Sequence, residues 1–479
     1  MATPIPTNLA PFALDELVRA TGGKLLGNGD GSIRGVATDS RADVAGKLYV
    51  ALAGERFDGH SFLRQVVEGG AGAVVVDRDE LPELSVPVLK VASTSNALLD
   101  IARYHRNRWR GQLVAVAGSA GKTTTRVACQ ALLETICPGK IHATPGNLNN
   151  QVGVPMTLLG LTESHTFAVI EVGTNFPGEV GKLARICKPN LALLTLIGLE
   201  HTEGLGDIDR IEQEEGDIFG ELVQGGVAIG NGDDLRVKRQ LATRALHARQ
   251  VLYGTELGVD YRVVHKATGS LDRISIVVER GQRLGGGSLT FESKLLGKPG
   301  AMAVAAAIAA AESMGETISN SNVSSAWLGQ SVGEAGRLQV VELDQGIIVL
   351  DDCYNANPPS MASSIAVATE LAKNHHCRLI LVLGEMLELG PQSEREHRIL
   401  GENLGNTSLL ISVGEQARPL FESARAFGVP SEYCANSNDA AELIALLTRP
   451  RDVVLVKGSR GVRLEIVVQT LAARKGHAA

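Results

Sequence analysis

Residues 113–126 read LVAVAGSAGKTTTR. An apolar run feeds a short glycine turn, and a lysine and three threonines follow. These residue types can hold a nucleotide triphosphate. Glycines let the backbone approach closely, successive N–H groups point at phosphate oxygens, a lysine adds a point charge, and a threonine hydroxyl can ligate Mg2+. Gly118, Ser119, Ala120, Gly121, Lys122, Thr123 and Thr124 are therefore candidate phosphate contacts, with Lys122 placed for the β- and γ-phosphates and Thr123 for the metal. The turn is short for its class. G-x-x-x-x-G-K-[ST] needs a glycine five residues before Gly121, where this chain has Val116; its first glycine is Gly118. The competing reading is a plain strand–helix turn.

Two further residues have types and positions suited to a metal. Glu171 lies at the end of FAVIEV (167–172), and His201 sits in IGLEHTEGLG (197–206), just past LALLTLI (191–197). In a parallel sheet the carboxyl ends of the strands open into the ligand crevice. A Thr, a Glu and a His on neighbouring strand ends could share one Mg2+. Taken alone, His201 reads as a solvated loop histidine; beside Thr123 and Glu171 the metal reading is preferred.

The elements that must position these residues are legible as apolar runs. LVAVA (113–117), FAVIEV and LALLTLI are continuous, as expected for parallel strands covered on both faces. A helix over 122–135 follows the glycine turn, which gives a βαβ rhythm. Residues 259–293 alternate and predict antiparallel strands, and AMAVAAAIAAAESMG (301–315) predicts a helix of small residues that packs closely. Before this unit lie about 90 residues with KLYVALAG (47–54) and GAVVVD (72–77), a small α/β pattern without a phosphate loop. STSNALLDIARYHRNRW (93–109) carries an N-cap signal and opens the second unit. After it, GIIVLDD (346–352), RLILVLG (378–384), LLISVG (409–414) and VVLVKG (453–458) predict a second open parallel sheet, and the polar stretch 315–335 reads as a linker. The expected fold is α/β in three domains: a small N-terminal α/β domain over 1–90, a central mostly parallel sheet with the phosphate loop over 91–328, and a C-terminal Rossmann-like domain over 329–479.

Composition narrows the partners. The chain has 479 residues, 44% apolar and 21% charged, with a formal net charge of −7. That charge argues against a general binder of nucleic acid or of an anionic membrane. An anionic substrate must then be held by local arginines and backbone amides. No apolar run reaches the length of a membrane span, and the first residues lack the pattern of a secretion signal. Six scattered cysteines without C-x-x-C read as reduced thiols. A cytoplasmic monomer acting on small molecules is expected.

GSAGKTTT, TPGNLNNQVGVPMTLL (144–159), EVGTNFPGEVGKLA (171–184) and IGLEHTEGLGDID (197–209) together resemble the Mur ligases of bacterial cell-wall synthesis, which use a shortened phosphate loop. TDSR (38–41), LAGERFDGHSF (52–62), DDCYNANPPSMASSI (351–365), GEMLELG (384–390) and LVKGSR (455–460) resemble the branch that adds D-alanyl-D-alanine. The resemblance spans about residues 12–470. It implies ATP and Mg2+, and a UDP-N-acetylmuramoyl-tripeptide whose terminal carboxylate becomes an acyl phosphate before the amine of D-alanyl-D-alanine attacks. By the same resemblance Lys122 stabilises the transferring phosphoryl group, and Thr123, Glu171 and His201 hold Mg2+. Asn147 and Asn150 lie near phosphates and substrate. Arg337 and Asp352 reach the nucleotide from the third domain, and Asn355 and Asn357 face the new peptide bond. Lys457, Ser459 and Arg460 are expected near a substrate carboxylate. Asp39, Ser40, Arg41, Arg56 and His60 fall where the family holds the UDP-sugar.

Two positions depart from the family pattern. Where the family has a lysine modified to a carbamate that helps hold a second Mg2+, RIEQEEGDIF (210–219) has Glu215. A carboxylate carries the same charge on a shorter arm, so Glu215 is read as its substitute, catalytic with Glu214 beside it, against an acidic solvated helix face. Where the family has adenine-contacting His and Asn residues, this chain has Pro299, Gly300 and Ala303, which predicts looser base recognition. Two other functions stay open: a related amide ligase with another acceptor, and a degenerate nucleotide-binding copy without activity.

Overall fold

The computed structural model describes residues 3–27, 32–54, 57–328 and 334–473. The apolar runs form three α/β layers, each built on its own sheet. In the first, the strand order is Lys24–Leu26, Val88–Lys90, Ala73–Val76, Leu48–Val50, Val36–Ala37, parallel apart from the first. The helix Thr94–Arg108 then leads out, and the Ser93 hydroxyl caps it by accepting from Asn96 N–H at 3.3 Å.

The central sheet has nine strands, ordered Ile141–Ala143, Phe167–Glu171, Gln112–Ala117, Leu191–Leu194, Val227–Asn231, Arg249–Gly254, Tyr261–Ala267, Ile274–Arg280, Ser288–Ser293. The first seven run parallel, and the last two are added by antiparallel pairings. Strand Gln112–Ala117 sits between two others and is covered by helices on both faces, so Leu113 to Ala117 are apolar and buried. On one face lie the helices Lys122–Ile136 and Gly297–Ser313, whose small residues allow close contact. On the other, Thr94–Arg108, Gly153–Leu159 and Glu179–Cys187 share one core with the N-terminal sheet.

The third sheet runs Gln339–Glu342, Ile348–Asp352, Val453–Lys457, Leu379–Gly384, Leu409–Val413, Ser431–Cys434, parallel except for the first. Its helix Pro358–Asn374 packs on Gly297–Ser313. Gly297 has φ +62°, and a Cβ there would come within 2.4 Å of Val367 Cγ2. The expected linker over 315–335 is corrected in part. Asn320–Leu328 is a helix, because Val323, Ala326 and Trp327 bury one side of it, and Trp327 donates its indole N–H to Ala128 O at 3.3 Å. Residues 329–333 lie outside the described residues. Among the described residues no helix is long and apolar enough to cross a membrane.

Candidate active site

The phosphate loop leaves strand Gln112–Ala117 at its carboxyl end and enters helix Lys122–Ile136. Gly118 has φ +125° and Gly121 φ +85°. These values favour glycine, and space demands it at Gly118: a Cβ there would lie 2.2 Å from Thr195 Oγ1 and 2.9 Å from Leu196 O. The loop is sewn to the next strand end. Ser119 N–H donates to Leu196 O at 2.8 Å, and Gly198 N–H donates to Ser119 Oγ at 3.0 Å. Lys122 Nζ curls back to Gly118 O at 2.5 Å.

Three carboxylates surround this lysine. Glu200 Oε2 stands 3.5 Å from Lys122 Nζ. Burial alone would lower the Lys122 ammonium, but Glu200, Glu215 and Glu171 outweigh it and hold the group above the ordinary lysine value, charged at neutral pH. Burial pushes the Glu200 carboxyl well above the usual carboxylate range; Lys122 opposes this and Glu215 adds to it. Glu215 Oε2 accepts from Gly118 N–H at 2.7 Å. Glu171 Oε1 accepts from Thr123 Oγ1 at 3.2 Å and from Asn149 Nδ2 at 2.9 Å, and its Oε2 lies 3.6 Å from Arg126 Nε.

This donor set fits magnesium. Glu171 Oε2, Glu200 Oε1 and Glu215 Oε1 are buried without hydrogen-bond partners among the described residues. Unpaired hard oxygen donors of this kind suit Mg2+, which keeps waters and takes one or two carboxylates together with substrate phosphates. No three His, Cys, Asp or Glu side chains among the described residues are placed to hold an ion by themselves. Thr123 and Glu171 lie together as expected. His201 is turned: its Nδ1 is hydrogen-bonded to Glu388 of the third unit, while its Nε2 faces Glu200 Oε2 at 3.9 Å. The His201 bond holds the Glu388 carboxyl below its usual value.

The third unit closes over the loop. Asn357 Nδ2 donates to Ser119 O at 3.0 Å while its Oδ1 caps helix Pro358–Asn374. Arg126 pairs with Glu334. Between the units lies a cavity of about 1240 Å3, lined by Gly121, Thr124, Asn231, Pro299, Arg337 and Asp352 among others. Pro299, Gly300 and Ala303 form part of its wall. Arg337 stacks on Tyr354, with its Cζ 4.2 Å from the ring centre; Arg460 approaches the same ring at 5.8 Å. Asp352 is engaged on both oxygens, by Lys457 Nζ at 2.6 Å, Ser364 Oγ at 2.5 Å and Leu338 N–H at 3.1 Å. Lys457 also donates to Asn355 O at 3.0 Å, so its charge is met by Asp352 rather than presented to a substrate carboxylate. Ser459 Oγ accepts from Leu387 N–H at 2.9 Å.

Other expected residues are placed differently. His60 is buried with both ring nitrogens held, by Asp58 at 2.8 Å and Asp77 at 3.1 Å. Arg41 closes a bidentate pair with Asp39, and Ser40 O accepts from Gln65. Arg56 lies outside the described residues. Asn147 Oδ1 accepts from Thr3 Oγ1 at 2.8 Å. Asn150 Oδ1 accepts from Gly153 N–H at 2.8 Å, which closes the turn into the next helix. Glu214 is not a neighbour of Glu215 in the site. It accepts from Gly178 N–H and Val180 N–H at the start of helix Glu179–Cys187, because adjacent residues on a helix point in different directions. Asn149, Glu200, Tyr354 and Glu388 are at the site and were not singled out by the sequence. All four lie within stretches that carry the family resemblance, but their types and spacing do not mark them.

Fold and loop together define a three-part α/β protein with a nucleotide-type phosphate loop at the carboxyl ends of its central strands. The family descriptions that match are "Mur ligase family, catalytic domain" over 32–106, "Mur ligase middle domain" over 116–311, and "Mur ligase, glutamate ligase domain" over 336–460. The chain belongs to the Mur ligase family. It is 31% identical over 473 residues to UDP-N-acetylmuramoyl-tripeptide–D-alanyl-D-alanine ligase of Haemophilus influenzae, covering 97% of this chain and 98% of that one. It is 33% identical to the Escherichia coli protein of the same name, with 96% and 98% covered. Among solved structures, MurF of Acinetobacter baumannii superposes with a TM-score of 0.87 at 29% identity, covering 97% of this chain and 100% of that chain. MurF of Thermotoga maritima in complex with ADP gives 0.79 at 25% identity, with 93% and 98% covered.

Proposed function

We propose that the protein joins D-alanyl-D-alanine to the terminal carboxylate of UDP-N-acetylmuramoyl-tripeptide at the expense of ATP, in peptidoglycan precursor synthesis. One observation carries this reading: a glycine loop with a charged, carboxylate-ringed Lys122 faces a cavity that residues of a third unit close. Likeness over nearly the full length to ligases of that activity supports it.

A carboxylate is a poor acyl donor. In the reaction its oxygen attacks the γ-phosphorus of ATP and ADP leaves; the dipeptide amine then attacks the acyl carbon, and phosphate departs with loss of one proton. Most of the work is positioning and charge neutralisation. The amides after Gly121 cradle the triphosphate at the helix start, and Lys122 donates to the phosphoryl group in transfer. Thr123, Glu171 and His201 would hold Mg2+, which when bound neutralises phosphate charge. Arg337 and Asp352 line the nucleotide cavity. Asn355, Asn357 and Arg460, from the third unit, are assigned to the acceptor and the new peptide bond. Ser40 and Arg41 of the N-terminal unit are assigned to the UDP end. The three domains are assigned as 1–90, 91–328 and 329–479, and the protein is assigned as a cytoplasmic monomer.

Incubation with ATP, Mg2+, the UDP-tripeptide and D-alanyl-D-alanine tests the reading. Stoichiometric phosphate and a UDP-pentapeptide mass are expected. Phosphate without the dipeptide adduct, or an adduct with a different acceptor only, overturns it.

A further inference from the structure

The contact between His201 and Glu388 joins two units and is built from both sides. Each residue adopts left-handed backbone, with φ +47° at His201 and +65° at Glu388, although neither is glycine. Non-glycine residues hold that strained conformation only where their surroundings enforce it. Here a clasp does so: Glu203 N–H donates to Glu388 O at 3.2 Å, and the buried Thr202 hydroxyl donates to Leu389 O at 2.7 Å. The Glu388 side chain is 58% exposed, so the ion pair by itself adds little stability. Its use lies in orientation. With Nδ1 committed to Glu388, the other ring nitrogen, Nε2, points toward Glu200 and, beyond it, Lys122.

We propose that Glu388 is the positioning residue for the metal ligand His201. By accepting the Nδ1–H it selects the tautomer whose Nε2 lone pair faces the phosphates, and because it is carried by the third unit, docking of that unit prepares the metal site. A carboxylate that accepts the second ring N–H of a ligating histidine fixes both its tautomer and its direction, and removing it weakens metal binding about 10- to 100-fold. The inference rests on the proposed function, which supplies the nucleotide and the metal.

Mn2+ binding read by electron paramagnetic resonance, at saturating ADP, tests it on the full chain. Glu388→Ala is expected to weaken Mn2+ affinity about 10-fold or more, with ADP affinity in the absence of metal unchanged. Glu388→Gln, whose amide oxygen still accepts from Nδ1, is expected to stay close to the parent. The His201 15N signal, assigned by its loss in His201→Gln, should show the Nδ1–H tautomer in the parent and lose that preference in Glu388→Ala. Unchanged Mn2+ affinity in Glu388→Ala, or an equal loss in Glu388→Gln, overturns the inference. If the parent itself binds no Mn2+ with ADP, the proposed function fails instead.

Discussion

Gly118 N–H donates to Glu215 Oε2 at 2.7 Å, across 97 positions of sequence. The first amide of the phosphate loop is therefore held inward by a buried carboxylate, and the donors left for phosphate are those further along the turn. The same carboxylate raises Lys122 and Glu200. One side chain thus sets the loop's shape and part of its electrostatics.

Removing that acceptor strands a buried N–H. Glu215→Ala is expected to cost about 1–3 kcal/mol in urea unfolding and to weaken ADP binding, while Glu215→Gln, which still accepts, recovers most of the stability. Since this carboxylate needs no carbon dioxide to exist, product formation should proceed at the same rate in bicarbonate-free buffer. A rate that rises when bicarbonate is added counts against Glu215 as the substitute for a carbamate.

Lys122→Ala removes the cation from among three carboxylates. Turnover measured by phosphate release should fall about 10²- to 10³-fold, the scale seen when one charge-stabilising donor is lost. The circular dichroism spectrum should be kept, because the sheets on either side do not depend on the lysine. Undiminished turnover in a folded variant sinks the assignment.

The loop and its strands were readable because each is a local pattern: a buried parallel strand is a continuous apolar run, and a glycine turn before a helix is compact. Strands Val227–Asn231 and Arg249–Gly254, which carry the parallel sheet past 191–194, were not singled out, since short runs of this kind do not separate strand from helix by periodicity. Within NLNNQ the sequence pointed to Asn147 and Asn150, yet Asn149 reaches Glu171. In a turn, the side chain that faces inward depends on local dihedrals that no period encodes. Glu388 was hidden for another reason: it meets His201 only because two units dock, a contact 187 residues apart. His60, which the resemblance places near the UDP-sugar, is held instead by Asp58 and Asp77, and only the first of these is a sequence neighbour.

At Gly118 two requirements coincide, φ +125° and the absence of a Cβ beside Thr195 and Leu196. Gly118→Val should abolish detectable ADP binding by calorimetry and destabilise the fold by about 1–3 kcal/mol. Gly121 has an open surround, with its nearest neighbour Thr195 Cβ at 3.8 Å, so Gly121→Asn, which tolerates left-handed backbone, should keep the fold. Equal melting temperatures for Gly118→Val and the parent contradict this account.

Acid sensitivity should arise from His142, on strand Ile141–Ala143 at the sheet edge. Burial pushes its imidazole down to about 4; the hydrogen bond to Thr157 O, at 2.7 Å, only partly opposes this. An unfolded histidine titrates near about 6.5. Between these values the unfolded chain binds a proton that the folded chain refuses, so stability rises with pH across the window and is lost as pH falls from about 6.5 toward about 4. At about 1.4 kcal/mol per pH unit the single site contributes about 3 kcal/mol over the whole window. Urea midpoints at pH 7 and pH 5 in the parent and in His142→Gln measure it. The variant should lose less stability on acidification than the parent does; identical losses in both proteins would show that His142 does not set the acid limb.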